Sequence, residues 1–484
     1  FEGNTVYSSE VLTKFMDIQP GQVLNSVSVG QKVQGINAAY ARDGYMLAHV
    51  DGVRVDDQGV LHIHIVEGIV EDIIPAGNKK TRNKVITREF VQKKGKPFNK
   101  FLVRRSVERV YNLGFFDDVN VRMLPGEQDP NNVIIEIDVL EHKTGTITLG
   151  AGYSKSDGLM GIVEFGEDNF RGTGDKFKVH WEIGGKKKYK NYQISYLKPW
   201  IDSKGTSLGF SFFNREDEYT DYNEDGNEVA EYNKKSRGFN ISFGRQTGEY
   251  TRDYLTLESR KDSYKWDDDS SGFRYDKNAG KGTNWDNGSY NFASDNYVKN
   301  NFGRINSVTW QKVYDSRDNI YEPTRGRRIS YTTQWAGHGL GGDFDFYKFT
   351  AETRMYKKLG AKNVLAFRAR AGFIQGDAPY SQLFTLGGAD SLRGYEDDQF
   401  RGKKMYNATL EFRFPIVKKV SGVLFGDIGD AWDAPNVTWY NSKKSFNYGV
   451  GAGVRITTPI GPVKLDYGVG KHKNKFHFSF GTQF

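Results

Sequence analysis

From Gly145 to the last residue, Phe484, hydrophobic side chains fall on alternate positions along segment after segment, with polar and charged residues between them. Alternation of period two is the mark of a sheet with two unlike faces. The last segment is the clearest. Phe476, Phe478, Phe480, Thr482 and Phe484 share one face, and Lys475, His477, Ser479, Gly481 and Gln483 share the other. Phe177, Val179, Trp181 and Ile183 alternate with Lys176, Lys178, His180 and Glu182 in the same way, as do Leu410, Phe412 and Phe414 with Thr409, Glu411 and Arg413. Lysine, glutamate and histidine turned inward on strand after strand suit a water-filled lumen better than a packed core.

About sixteen such segments can be counted, from 145–153 to 475–484. Connections after odd-numbered segments are often long and polar, at roughly 215–235, 261–301 and 374–404, and the others are mostly short. Outer-membrane barrels have this asymmetry, and an even count returns both ends of the barrel to the periplasmic side. Composition agrees: 37% of residues are hydrophobic, 14% are aromatic and 55 are glycine. No apolar run approaches the roughly 18 residues of a spanning helix, and a closed sheet needs none because it satisfies its own backbone in lipid. The expected fold is therefore membrane all-β, a 16-stranded antiparallel transmembrane barrel.

The first 142 residues follow a different plan, repeated. Gly3-Asn4 opens one unit and Gly77-Asn78 the next. Each continues through two helix-like stretches, a Gly-aromatic step (Gly44-Tyr45, Gly114-Phe115-Phe116) and two strand-like runs. The unit reads β-α-α-β-β over roughly 70 residues, as in a tandem array. Expected domains are 1–68, with its opening strand largely missing, 69–142, and the barrel from 143 to 484. An exported protein needs a signal segment, so the abrupt start at Phe1 is expected to reflect processing or truncation. Absence of cysteine removes disulfides and thiolate chemistry. A net charge of +8 would attract acidic lipid headgroups or clients, although solvated loops and turns are the more ordinary account of it.

Several motifs resemble one superfamily, the BamA- and TamA-type outer-membrane assembly and secretion proteins. Gly77-Asn78-Lys79-Lys80-Thr81 followed by Val85-Ile86-Thr87-Arg88-Glu89 resembles the start of a polypeptide-transport-associated (POTRA) domain, and Leu113-Gly114-Phe115-Phe116-Asp117-Asp118-Val119 its later strand. Asn169-Phe170-Arg171-Gly172-Thr173-Gly174 is similar to the first inner turn of the barrel. Leu392-Arg393-Gly394-Tyr395 resembles the Arg-Gly-aromatic motif of the inward-folded loop, and Phe425-Gly426-Asp427-Ile428-Gly429 the strand motif after it. Pro459-Ile460-Gly461-Pro462 and the terminal Phe484 complete an ordered set that covers nearly the whole chain.

The resemblance implies that Arg393, Gly394 and Tyr395 fold into the lumen and that Arg393 meets the wall. A guanidinium offers a planar fork to a carboxylate. Asp427 is the favoured partner by strand parity, whereas Asp430 shares the parity of Ile428; Asp466 is a second candidate. Other matches are weak. Gly205-Thr206-Ser207-Leu208-Gly209 fits G-x-S-x-G, but a strand follows where a nucleophile elbow needs a helix. His62 and His64 share a strand face and read as solvent-facing rather than metal-binding. Gly150-x-Gly152 has no following helix to make a nucleotide site, and Lys186-Lys187-Lys188 reads as a solvated loop tip. No catalytic constellation, metal, cofactor or nucleic-acid partner is expected.

The expected function is a non-enzymatic assembly factor that inserts client barrel proteins into the bacterial outer membrane, its POTRA domains in the periplasm. Unpaired strand backbone is costly in lipid, and a weak seam could template a client strand by β-augmentation. The seam would join the first strand, with Gly145, Gly150 and Gly152, to the last, with Phe480 and Phe484. Expected partners are unfolded outer-membrane clients, periplasmic accessory lipoproteins or chaperones, and outer-membrane lipids. The alternative is a two-partner-type secretion pore that exports one dedicated protein through the lumen.

Overall fold

The computed structural model describes every residue except 155–157, 185–188, 223–225, 227, 266–284, 287–288, 291–300, 320–321, 435–442, 459–460, 472 and 481–484. Lys186-Lys187-Lys188, Phe484, most of 261–301 and the Pro459-Ile460 step thus lie outside the described residues.

One compact unit comprises Phe1–Ile147 with Phe165–Phe177. Its first repeat holds α1 (Ser9–Met16), α2 (Ser26–Arg42), β1 (His49–Val55) and β2 (Leu61–Val66). The second holds β3 (Val70–Ala76), α3 (Asn83–Thr87), α4 (Lys100–Tyr111), β4 (Phe116–Pro125) and β5 (Val133–Glu141). β5 lies between β3, to which it is parallel, and antiparallel β4. The first repeat keeps the same order, with its opening strand reduced to one parallel bridge from Glu2 to His64. Val133, Ile135, Ile137 and Val139 turn alternate side chains of β5 onto Val85, Ile86, Val103 and Val110 of the helices. Each such side chain contributes roughly 1.5–3 kcal/mol by leaving water. The helices start where Asn25 and Asn99 accept hydrogen bonds from first-turn backbone N–H groups, Val27 and Ser28 in one case and Phe101 and Leu102 in the other.

A 74-residue step relates the repeats, from Gly3 to Gly77, Asn4 to Asn78 and Glu67 to Glu141. Glu67 accepts from the N–H groups of Thr5 and Val6, and Glu141 from those of Lys79, Lys80 and Thr81. Gly3 (φ 83°) and Gly77 (φ 79°) are left-handed, and a Cβ there would strike the carbonyl oxygens of Ile65 and Val139 at 2.1 and 2.3 Å. The Gly-Asn opening is therefore a tight turn fastened by a carboxylate at the end of the repeat. In the second repeat the turn also holds the 169–174 motif. Asn169 Nδ2 donates to Thr81 Oγ1 (2.8 Å), and Arg82 N–H donates to the Gly172 carbonyl (2.9 Å).

The solvent-facing reading holds for His64 and needs correction for His62. His62 is half-buried between Asp56 (Nε2–Oδ2 2.9 Å) and Glu2 (Nδ1–Oε1 3.3 Å), because β2 places it beside the β1–β2 turn and the N-terminal bridge. His64 is exposed, 3.6 Å from Asp51.

The remaining unit, Thr148–Glu164 and Lys178–Phe484, carries most of a 16-stranded sheet whose neighbours follow chain order from Gly145–Ser154 to Asn474–Phe480. All its described ladders are antiparallel. Phe476, Phe478, Leu424 and Leu410 are exposed on one face, and His477, Asp427, Thr409 and Glu411 are buried on the other. Ser207 opens a strand, so the G-x-S-x-G match has no elbow.

Two expected loops prove to be structured. The 215–235 stretch is mostly ladder, because Ser207–Tyr222 and Glu228–Gln246 stay paired out to Tyr222 and Glu228. Backbone pairing persists where lipid no longer imposes apolar alternation. The 374–404 stretch is not simply polar. Tyr380, Leu383, Phe384, Leu386, Leu392, Tyr395 and Phe400 form a buried cluster with Phe346, Ile374, Met405 and Ala431 of the sheet. The period-two pattern ends with the strand, so this core leaves no periodic trace.

Candidate functional site: a loop clamped to the polar face of the sheet

The loop between Asn363–Gly376 and Lys404–Val417 folds back on itself through a short hairpin, Phe384–Leu386 with Phe400–Gly402. Its apex is seated by backbone-directed bonds from the sheet. Arg368 donates to the Asp390 carbonyl (2.8 Å) and Asn407 Nδ2 to that of Ser391 (2.9 Å).

Arg393 follows. Its Nε and second terminal nitrogen donate to the two oxygens of Asp427, at 2.7 and 2.9 Å. Its other terminal nitrogen reaches Glu411 at 2.7 Å and Asp466 at 3.4 Å. The guanidinium carbon lies 3.4 Å from the centre of the Phe425 ring. Arg455 joins Asp466 (2.6 Å) and Glu411 (3.5 Å), and Arg413 joins Glu411 (2.8 Å). All six charged groups are buried. Three guanidinium groups thus face three carboxylates, and the cluster is neutral as a whole. Burying these charges is tolerable only because each is paired and hydrogen-bonded.

The carboxylates come from three strands: Glu411 from Lys404–Val417, Asp427 from Val420–Trp432 and Asp466 from Gly461–Gly470. Thr409 is opposite Asp427 in the ladder, and Gly453 is opposite Asp466. Gly394 (φ 94°) brings backbone against backbone: a Cβ there would meet Gly470 N at 2.6 Å. On the sheet side, a Cβ on Gly449 would overlap the Arg393 carbonyl oxygen at 1.9 Å. Tyr395 is buried; its hydroxyl donates to the Tyr448 carbonyl (3.1 Å) and accepts from Lys471 N–H (3.0 Å).

Arg393, Gly394, Tyr395, Asp427 and Asp466 are therefore brought together. Glu411, Arg413, Arg455 and His477 complete the cluster and were not singled out from sequence. Glu411, Arg413 and His477 lie on the polar parity of their strands, which is the signal the sequence offers for them. Asp430 has the parity of exposed Ile428 yet is buried, because Ser445 N–H and Asn447 Nδ2 donate to it from the start of the next strand. Gly145, Gly150 and Gly152 lie in the first strand, and Phe480 closes the last strand opposite Val463. Among the described residues no ladder joins these two strands.

The Omp85 superfamily domain model matches residues 169–484. The chain belongs to the Omp85 superfamily. The POTRA model, described as a surface antigen variable number repeat, matches residues 1–68 and 69–142 of this Omp85 chain. Outer membrane protein assembly factor BamA of Nitratidesulfovibrio vulgaris is 24% identical over 100% of the chain and 61% of its own length. BamA from Haemophilus ducreyi lacking POTRA domains 1–3 superposes with a TM-score of 0.66 at 20% identity, over 100% of this chain and 99% of that one. CdiB from Escherichia coli has the same TM-score at 13% identity, over 99% and 87%. Both likenesses are of fold. The Omp85 chain spans about six tenths of the length of the BamA relatives from Nitratidesulfovibrio vulgaris and Neisseria meningitidis. The sheet is the barrel domain of this outer-membrane superfamily, whose POTRA domains are periplasmic.

Proposed function

We propose that this Omp85 chain is the membrane-embedded part of an assembly factor that folds client β-barrel proteins and inserts them into the outer membrane. The observation that carries the reading is the match to relatives named as outer membrane protein assembly factor BamA, over 100% of the chain in one case and 88% in another. No bond is made or broken in such a step. The contribution is to lower an insertion barrier by offering a client strand a pairing partner in place of lipid. The POTRA repeats, taken as 1–68 and 69–142 ahead of a barrel from 143, would receive unfolded clients, with accessory lipoproteins or chaperones delivering them.

Gly145, Gly150 and Gly152 supply no side chains to pack, which weakens the first strand as a closing partner. The seam between that strand and the last one, around Phe480 and Phe484, is the proposed insertion edge. The Arg393 clamp would hold the loop against the strands next to this edge. The secretion-pore alternative draws on the shared fold with CdiB, but the relatives that match most of the chain are named as assembly factors, which favours insertion. Depleting the protein and profiling the outer membrane tests the choice. Broad loss of barrel proteins is the expected result; loss of one exported protein would make it a secretion pore.

A further inference from the structure

We propose that the lumen loop also retains the sheet's last strand, with His477 and Lys475 as the positioning residues; the link to insertion rests on the assembly-factor reading above. The last strand, Asn474–Phe480, has one described ladder, the seven pairs from Val463↔Phe480 to Val469↔Asn474. Two further bonds reach it from the loop. Gly394 N–H donates to His477 Nε2 at 2.9 Å, and Lys475 Nζ pairs with Glu396.

The chemistry of the first bond is specific. An imidazole nitrogen that accepts carries no proton, so the ring is neutral with its proton on Nδ1. His477 is buried, as are Asp466, which lies directly opposite it in the ladder, and Arg393 of the loop. Lys475, two residues before it in the same paired strand, shares its face. The Gly394 N–H lies in the buried contact with Gly468 and Gly470, where a backbone donor needs a partner. His477 supplies that partner from the terminal strand. Because Arg393 fixes the same segment to three other strands, the loop is a second connection between the last strand and the body of the barrel, independent of the ladder. Its effect is to hold that strand in register from the lumen side while its outer edge is presented to another strand.

Hydrogen–deuterium exchange on the full chain in proteoliposomes tests this. His477→Leu removes the acceptor, and His477→Gln keeps an acceptor without the ring. Lys475→Glu breaks the ion pair, and Lys475→Glu with Glu396→Lys reverses it. Heat-modifiable gel mobility verifies that each variant is a folded barrel. Backbone exchange in 474–480 is expected to rise at least tenfold in His477→Leu and in Lys475→Glu, and to return toward the parent in His477→Gln and in the charge reversal. Parent-like exchange in the two disruptive variants, or failure of both restoring variants, overturns the retention role. A urea-unfolded outer-membrane barrel is then offered as client. Insertion at least threefold slower in His477→Leu and recovered in His477→Gln supports the link to insertion, whereas altered exchange with unaltered insertion overturns that link alone. No insertion even by the parent would instead count against the assembly-factor reading and leave the exchange result standing.

Discussion

Arg393 grips both carboxylate oxygens of Asp427, at 2.7 and 2.9 Å, across 34 residues of chain and from a loop onto a strand. A two-point bond of this kind fixes direction as well as distance. Each partner is 3% exposed or less, so neither charge has water to fall back on.

Arg393→Ala should leave Asp427 buried without its cation and cost about 3–5 kcal/mol, the range for breaking one side of a buried pair. Arg393→Lys should recover only part, since a point charge cannot make the fork. Arg401→Ala, in the same loop, removes a cation stacked 4.9 Å from the Tyr380 ring. It should cost less, about 0.5–2 kcal/mol. Thermal loss of the folded gel band, compared across the three variants, measures the order.

Gly394→Ala should unseat the loop although it adds one methyl group. The residue is left-handed, and the new Cβ would lie 2.6 Å from Gly470 N, a backbone atom that cannot swing aside. The expected signs are a lower melting temperature and faster protease cleavage between 387 and 400. An unchanged cleavage pattern would show that the loop tolerates the shift.

Acid should loosen the second POTRA repeat through Glu141. Burial raises its pKa, but the Thr81 hydroxyl and the N–H groups of Lys80, Thr81 and Lys79 outweigh that and set it below the ordinary glutamate value. A lowered carboxylate pKa stabilises the fold above the unfolded-state value, and the contribution is lost as pH falls through the folded-state value. Residues 69–142 expressed alone should be soluble with a mixed α/β spectrum. In that fragment Glu141→Gln should cost ~1–2 kcal/mol at neutral pH and flatten the acid limb of urea-melt stability against pH.

His62 should respond in the opposite sense. Hydrogen bonds to Asp56 and then Glu2 raise its pKa. That contribution is complete below the unfolded-state histidine value and fades as pH rises through the folded-state value. An NMR titration should place the His62 midpoint above that of a free histidine, and Asp56→Asn should lower it.

Locking the proposed seam should stop client insertion. The chain has no cysteine, so pairs placed between 145–152 and 476–483 would carry the only thiols. Pairs that crosslink should abolish insertion when oxidised and restore it on reduction, while a pair at Phe412 and Leu424, opposite each other within one hairpin, should be tolerated. Normal insertion through a fully oxidised seam would rule out lateral opening and favour transport through the lumen.

Strand number, strand order and the facing of Asp427, Asp466 and Glu411 were legible in the sequence, because a side chain two residues along must return to the same face. The Gly-Asn repeats were legible too: a left-handed turn closed against a neighbouring carbonyl leaves room for glycine and little else. The length of the Ser207–Tyr222 hairpin was not, since outside lipid the ladder continues without a hydrophobic signature. Nor was the assembly of the clamp. Arg393, Glu411, Arg455, Asp466 and His477 are scattered over 85 residues and four strands and a loop. Parity says which way each points, but which charges meet depends on ladder register and on the path of the 374–404 loop. Only the folded sheet, with glycines 449, 468 and 470 clearing space for that loop's backbone, decides those distances.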